Sequence, residues 1–328
     1  MGEGGKDRKV KFLTFRLPEK IFYNRGYTTI LHFSATTKPQ DVDLTLCSIM
    51  LVAMTDELNN LAQLRAAIIA KKTELDGLRN RTPGALGNLE HAHDLELTYT
   101  SNAIEGNTLN AAETTLVIEQ GITIGGKPLK DHLEALDHFD ALRYVRELAG
   151  KAQPFSEADI RNLHRIVLHR SNPEIAGRDA DQGRFVVTDT GRRSFPSPAE
   201  VPALMGDFAQ WLGATPATPE TAFAAHRRLV EIHPFNDGNG RTARLMMNLI
   251  LLRGGYPPVA VRLEDRPAYI AALQDAQAGR GTESFDRLLY ARLDATLGEY
   301  LSASKEALTS PTAPPPAKPK ADEPPRPK

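Results

Sequence analysis

The apolar residues of this chain recur at intervals of three and four over most of its length after residue 54. Leu58, Leu61 and Leu64 begin the first of these stripes, and comparable stripes follow one another as far as Leu301. This spacing places apolar side chains on one face of an α-helix and polar ones on the other. The sequence therefore predicts an all-α helical bundle over residues 54–302.

One segment breaks the helical period. Arg184, Phe185, Val186 and Val187 form a short β-like run, a Thr-Asp-Thr-Gly turn follows, and the segment ends at Phe195. Aromatic and β-branched residues beside a turn are typical of a hairpin. The pattern predicts a single hairpin on the helical body, with an irregular surface loop as the alternative.

The two ends differ from the helical body. Residues 1–53 begin with a basic stretch and lack the helical period, so they are either an accessory extension or a stretch upstream of a true start at Met54. Met54 is followed by Thr-Asp-Glu, which is typical of a helix start and favours the second interpretation. Residues 303–328 carry eight prolines among Lys, Asp and Glu, which predicts a disordered tail.

Net charge and cysteine content limit the classes of partner, metal site and cellular location expected for this chain. A net charge of −1 supplies no global positive field, so neither nucleic acid nor an anionic membrane is expected as a partner. Cys47 is the only cysteine, which excludes an internal disulfide and a zinc site built on paired thiolates, and predicts a reducing, cytoplasmic location. The longest apolar stretch, residues 44–54, is too short to span a bilayer.

The loop most suited to binding an anion lies near residue 240. Gly238, Asn239 and Gly240 form a tight turn that leads into a helix, and such a turn directs backbone N–H groups toward one point. Arg241 and Arg244 stand three apart at the start of that helix, so both guanidinium groups rise on the same face. Two arginines beside a nest of N–H groups favour a polyphosphate over a carboxylate.

Two further residues suit the chemistry of a phosphate ester. Asp237 is an acid inside this positive loop, which is reasonable if it holds a cation such as Mg²⁺ that is shared with phosphate oxygens. His233 ends the preceding helix and, as a histidine, can take a proton at neutral pH, as activation of a hydroxyl nucleophile requires.

The stretch 233–244, His-Pro-Phe-Asn-Asp-Gly-Asn-Gly-Arg-Thr-Ala-Arg, resembles the signature of the Fic (filamentation induced by cyclic AMP) family. That signature is His-x-Phe-x-(Asp/Glu)-Gly-Asn-Gly-Arg-x-x-Arg, and every specified position is filled. Similarity extends over about residues 95–301. The resemblance implies a Fic-type helical fold that binds ATP with Mg²⁺ and transfers AMP to a Ser, Thr or Tyr hydroxyl of a target protein, and of itself, releasing pyrophosphate.

The resemblance also implies a role for each motif residue. His233 is expected to be the general base, Asp237 the Mg²⁺ ligand and Phe235 a core anchor of the loop. The residues expected to bind ATP are Gly238, Asn239 and Gly240, which steady the α-phosphate, and Arg241 and Arg244, which hold the outer phosphates.

In the family, the hairpin is a flap that pairs with an extended segment of the target protein. By this resemblance Arg184, Phe185, Val186 and Val187 are expected to dock the target. Whether the chain forms a homodimer stays open at this point.

An upstream segment resembles the inhibitory helix motif of the family, (Ser/Thr)-x-x-x-Glu-(Gly/Asn). Ser101-Asn102-Ala103-Ile104-Glu105-Gly106 matches it, which implies an inhibitory helix near residues 95–106. Glu105 would pair with Arg244 and remove the ligand of the γ-phosphate, while Ser101 would seat the helix. A solvated carboxylate at a helix end is the alternative.

Three other functions stay open. A metal-dependent phosphohydrolase would draw on His91, His93, Asp94, His132 and His233, but His91 and His93 are two apart and do not share a helix face. The same fold could remove AMP or transfer another phosphate-linked group. The chain could also be a catalytically silent, ATP-binding interaction module.

Overall fold

The computed structural model describes residues 44–151, 153–188 and 191–309 of the 328-residue chain. The chain divides between Met54 and Thr55 into two units, and the candidate site lies entirely in the second. Residues 1–43 and 310–328, which hold most of the two predicted end segments, lie outside the described residues.

Within the described ranges the chain forms ten α-helices, one short 3-10 helix and one two-stranded antiparallel hairpin, so the all-α prediction with a single hairpin is confirmed. The helices are α1 (Leu44–Arg79), α2 (Pro83–Ile104), α3 (Ala111–Gln120), α4 (Leu129–Ala149), α5 (Glu157–Val167), α6 (Val201–Ala214), α7 (Pro219–Ile232), α8 (Asn239–Arg253), α9 (Arg266–Gln277) and α10 (Glu283–Thr309), with the 3-10 helix at Leu263–Asp265. The hairpin strands are β1 (Phe185–Thr188) and β2 (Gly191–Ser194).

Polar side chains mark where several helices begin. At α3, the Asn110 side chain accepts a hydrogen bond from Glu113 N, and the Glu113 carboxylate accepts one from Asn110 N. Ser156 and Asp159 make the same reciprocal pair at α5. These bonds satisfy N–H groups that have no partner within the first turn of a helix.

Helix α8 lies at the centre of the bundle. Every residue from Leu245 to Leu251 is buried, because α4, α5 and α7 pack around this helix. A helix that is apolar on all faces is stable only when it is surrounded. Since the first two turns of α8 carry Arg241 and Arg244, the fold places both arginines inside the protein.

Two helix boundaries differ from the predicted limits of the helical body. Helix α1 begins at Leu44, within the segment 1–53 that was assigned to an extension. Helix α10 continues past residue 302 to Thr309. Ser304 is buried there, and Lys305 forms a 2.7 Å ion pair with Glu74 of α1. These contacts keep the start of the predicted tail helical, although its composition suggests otherwise.

No helix in the part of the chain that the structure describes combines the length and apolar character needed to cross a bilayer.

Two buried histidines predict acid sensitivity of the fold. Burial lowers the pKa of His138 to about 3 and the pKa of His226 well below its usual range, with Arg244 acting in the same direction on both. Both stay neutral in the folded chain, whereas the unfolded chain binds their protons below about pH 6.5. Their contribution to stability is therefore complete above pH 6.5 and is lost as the pH falls.

Lowering the pH from 6.5 to 5.0 should decrease the free energy of unfolding by roughly 2 kcal/mol for each of these histidines, measured by urea denaturation. His138→Asn should reduce the number of protons taken up on unfolding, which sets the slope of the free energy of unfolding with pH, by about one. His91→Asn is the control, because His91 is exposed and its hydrogen bond is to Glu119 on the protein surface. Equal pH dependence of the parent chain and His138→Asn would show that His138 is not neutral in the fold.

Candidate active site

The motif lies at the sharp turn where α7 ends and α8 begins. His233 ends α7 with a left-handed φ of 51°, and Gly238 precedes α8 with a φ of 74°. Among the described residues, His233 is the one non-glycine residue with a positive φ. Such a conformation costs about 1–3 kcal/mol and persists only where the surrounding structure holds it.

Asn239 fastens this loop from within. Its Oδ1 accepts a hydrogen bond from Phe235 N at 3.0 Å, and its Nδ2 donates one to Phe235 O at 2.7 Å. The side chain of Asn239 is therefore committed to the loop. Any contribution of Asn239 to an anion hole comes from its backbone N–H.

His233 presents a single free nitrogen. Its Nδ1 lies 3.3 Å from the Val230 carbonyl, which places the proton on Nδ1 and the lone pair on Nε2. The ring stacks on Phe195 with centroids 3.8 Å apart. Burial lowers the pKa of His233 to about 4. The hydrogen bond to the Val230 carbonyl opposes burial by raising the pKa, and the charge of Arg184 lowers it further. His233 is thus neutral at pH 7, the form that a general base requires.

Arg184 anchors the base of the hairpin. Its guanidinium is buried and donates to three backbone carbonyls at 2.8–3.0 Å, those of His233, Gln182 and Pro196. The Arg184 side chain is therefore engaged inside the protein, and the expectation that Arg184 docks a target stays a prediction. It ties the hairpin to the catalytic loop.

The hairpin itself has one exposed apolar face. Phe185 and Val187 are two apart on β1 and are 48% and 77% exposed, while Val186, on the opposite face, is half-buried. The Arg192 guanidinium lies 3.6 Å from the centre of the Phe185 ring. Arg193 of β2 donates a hydrogen bond to the Gln277 carbonyl at the end of α9. The hairpin is thus held at both strands and leaves Phe185 and Val187 to solvent.

Arg244 is hydrogen-bonded to two residues at the C-terminal end of α2. The Arg244 Nε donates to Ser101 Oγ at 2.9 Å, and its Nη2 donates to Ser101 O at 2.9 Å and to Glu105 Oε1 at 2.7 Å. The guanidinium is buried, whereas the Glu105 side chain is 41% exposed. The pairing of Glu105 with Arg244 that the resemblance implies is present in the structure.

Glu105 also covers the anion loop. A Cβ atom placed on Gly240 would overlap Glu105 Oε1 and would lie 3.2 Å from Arg244 Nη1. The carboxylate therefore rests directly over the glycine backbone at the N-terminus of α8, where a helix dipole favours a negative group. A carboxylate and a phosphate compete for this position.

Arg241 is held by acids on both sides. Its Nη1 lies 3.1 Å from Glu134 Oε1, and its Nη2 lies 3.6 Å from Asp237 Oδ1. Glu134 is buried in α4 and also accepts a hydrogen bond from Asn107 Nδ2 at 3.1 Å. Arg241 thus links the Asp237 carboxylate to α4.

Sequence reasoning missed two residues that shape this site, Glu134 and His164. Both are buried polar residues next to apolar ones in helical segments. A search for apolar residues at helical spacing therefore does not select them. A buried acid within an amphipathic helix needs a cationic partner, but nothing in the local spacing identifies Arg241 as that partner.

The residues of the metal-dependent phosphohydrolase alternative do not come together. His91 bonds to Glu119, His93 to Glu299 and Asp94 to Arg146, while His132 lies between Ile124 N and Pro128 O. Among the described residues, no group of three or more His, Cys, Asp or Glu side chains is placed to hold a metal ion.

The fold and the motif define a Fic protein, and comparisons with known proteins agree. The Fic/DOC family profile matches residues 154–251. Protein adenylyltransferase Fic of Nematostella vectensis is 37% identical over 63% of this chain and 48% of its own length. Protein adenylyltransferase fic-1 of Caenorhabditis elegans is 38% identical over 63% of this chain and 41% of its own length.

Solved structures show the same fold. A Fic-domain-containing signalling protein from Bacteroides thetaiotaomicron matches with a TM-score of 0.68 and 31% identity, over 73% of this chain and 97% of that one. Residues 134–508 of C. elegans Fic-1 match with a TM-score of 0.67 and 31% identity, over 80% of this chain and 78% of that one. The chain belongs to the Fic family. It spans about half or less of the length of the curated relatives it matches.

Proposed function

We propose that this chain transfers AMP from ATP to a hydroxyl group of a target protein, and that Glu105 holds it inactive. The observation that carries the proposal is the Glu105 carboxylate lying over Gly240 and bonded to Arg244. It lies where an anion fits best, at a helix N-terminus beside a buried arginine. A site that accommodates a carboxylate in this way is suited to phosphate once the carboxylate leaves.

The residues of the loop divide between the phosphates. The backbone N–H groups of Asn239 and Gly240 face the α-phosphate, where charge increases during transfer, while that of Gly238 donates to the Asp237 carboxylate. Arg244 and Arg241 hold the outer phosphates, and the contact of Arg244 with Glu105 must open first. Arg244 keeps its two hydrogen bonds to Ser101 when Glu105 leaves, so its guanidinium stays in position.

The Asp237 carboxylate fits a magnesium site. Its side chain is 45% exposed, and one oxygen accepts a hydrogen bond from Gly238 N at 2.6 Å, which fixes its direction. Mg²⁺ prefers oxygen ligands and usually combines one or two carboxylates with phosphate oxygens and water. When bound, Mg²⁺ neutralises charge on the triphosphate; the chain's own contribution is the oriented carboxylate of Asp237.

His233 and the hairpin serve the acceptor. The hydroxyl oxygen of the target attacks the α-phosphorus, its proton moves to His233 Nε2, and the bond from the α-phosphorus to the bridging oxygen breaks as pyrophosphate leaves. The exposed face of Phe185 and Val187 supports an extended target segment beside β1. The proposal also includes a Ser, Thr or Tyr residue as the acceptor, a cytoplasmic location and a homodimer.

The test is which phosphate is transferred. The Glu105→Gly variant, incubated with Mg²⁺ and a cell lysate, should add label from α-³²P-ATP above that of the lysate alone and add none from γ-³²P-ATP, and EDTA should abolish the added label. Label from γ-³²P-ATP in excess of that in the lysate alone would indicate a phosphate transferase. ATP binding without any transfer would favour the silent interaction module.

Removal of AMP is the second candidate, because Glu105 is part exposed and lies beside the phosphate position, where it could orient a water molecule. In that case the parent chain, rather than Glu105→Gly, should release AMP from a labelled target. Label that persists in the presence of the parent chain would exclude this function.

A further inference from the structure

A histidine outside the motif lies directly beneath the catalytic loop. His164 of α5 is fully buried, and its ring is parallel to that of Phe235, with centroids 3.6 Å apart and an interplanar angle of 2°. Phe235 is itself fully buried between His233 and Asp237 in sequence. The two rings therefore form the support on which the loop rests.

The hydrogen bonds of His164 determine its tautomer. Gly177 N donates to His164 Nδ1 at 3.0 Å, and a backbone N–H can only donate, so Nδ1 carries the lone pair. The proton then lies on Nε2, which donates to the Asp237 carbonyl at 3.0 Å. Burial lowers the pKa of His164 to about 4, which agrees with a neutral ring.

The bond to Asp237 acts at the sharpest part of the loop. The Asp237 carbonyl belongs to the peptide that enters Gly238, whose φ is 74° and whose N–H donates to Asp237 Oδ1. A Cβ atom on Gly238 would lie 3.3 Å from His164 Nε2, so this close approach suits a glycine. A change in this peptide would turn both the Asp237 carboxylate and the N–H groups that follow it.

We propose that His164 is a positioning residue that, through its Nε2–H bond to the Asp237 carbonyl, sets the direction of the Asp237 carboxylate and of the anion loop. It touches neither ATP nor the target and acts through Asp237 and Gly238. The inference rests on the proposed function for its effect on transfer, but its geometry and its effect on ATP binding are measurable without any transfer.

The variants separate this role from simple packing. His164→Phe retains the ring and its stacking on Phe235 but removes both hydrogen bonds. His164→Gln loses the stacking but can place an amide donor near the Asp237 carbonyl. His132→Phe is the matched control, because His132 is also buried and also bonds to two backbone groups, Ile124 N and Pro128 O, away from the motif.

All variants are made in the Glu105→Gly chain. His164→Phe should weaken ATP binding in the presence of Mg²⁺ by about 10-fold, raise the Mg²⁺ concentration needed for half-maximal binding, and lower the rate of transfer; His164→Gln should recover part of each loss. His132→Phe should lower the melting temperature and leave the ATP affinity unchanged. Unchanged ATP affinity in folded His164→Phe, or equal losses in the His132 control, would overturn the proposal.

The tautomer is tested in the parent chain by ¹⁵N NMR of its histidines, with His164 assigned from the His164→Gln spectrum. We expect an unprotonated Nδ1 and a protonated Nε2 at pH 7. The opposite tautomer, or a charged ring, would overturn the proposal even if the variants fail to fold. A chain that binds ATP without transferring AMP would contradict the proposed function and leave the test of His164 intact.

Discussion

Glu105→Gly should raise the rate of AMP transfer by roughly 100-fold over the parent chain. Glu105 holds Arg244 at 2.7 Å and covers Gly240, so ATP binds productively only in the fraction of molecules in which the carboxylate has moved away. A fraction of about 1% corresponds to a closed state favoured by about 2.7 kcal/mol. The pairing of the partly exposed Glu105 with Arg244 and the position of its carboxylate over Gly240 at the N-terminus of α8 both contribute to this difference. Glycine is suited to the site, because Glu105 follows the last residue of α2.

Two further variants test the charge itself. Glu105→Gln retains the shape of the side chain and should give an intermediate rate, since it binds Arg244 more weakly than a carboxylate does. Glu96→Gln is the matched control, because Glu96 lies on the same helix and pairs with Arg262 at 2.8 Å on its outer side. If Glu96→Gln activates as strongly as Glu105→Gly, the effect comes from loosening α2 and not from freeing Arg244.

His233→Ala, made in the Glu105→Gly chain, should lower the rate of transfer by about 1,000-fold, which is typical of the loss of a general base. His233 is the neutral imidazole beside the loop, with its Nδ1 directed at the Val230 carbonyl and Nε2 left to accept a proton. ATP binding, measured by thermal shift with Mg²⁺, should persist because no phosphate contact is lost. Rates are compared with α-³²P-ATP over a range of target concentrations.

The matched control for this variant is His91→Ala. His91 is exposed and bonds to Glu119, so His91→Ala, also made in the Glu105→Gly chain, should leave the rate within about two-fold of that of Glu105→Gly. A His233→Ala chain that transfers AMP at the rate of His91→Ala would show that another group accepts the proton. Loss of ATP binding in His233→Ala would instead indicate that the left-handed turn at His233 had collapsed.

Local chemistry in the sequence predicted the helices and the anion loop, because both depend on residues close to one another along the chain. Spacings of three and four predict a helical face, and Gly238 and Gly240 predict a turn. The same reasoning did not locate the partners of the Arg184 side chain. Its guanidinium donates to three backbone carbonyls, one of which belongs to His233, 49 positions away in sequence.

The sequence by itself determined the family of the protein and the position of its candidate site, since the whole motif lies within residues 233–244. Only the tertiary structure decided what holds that motif in place. Ser101 and Arg244 are 143 positions apart, and His164 and Asp237 are 73 apart. Neither pair follows from helical or strand periodicity. Both arise because α2 and α5 pack against the buried helix α8, where a polar group is stable only when it has a partner.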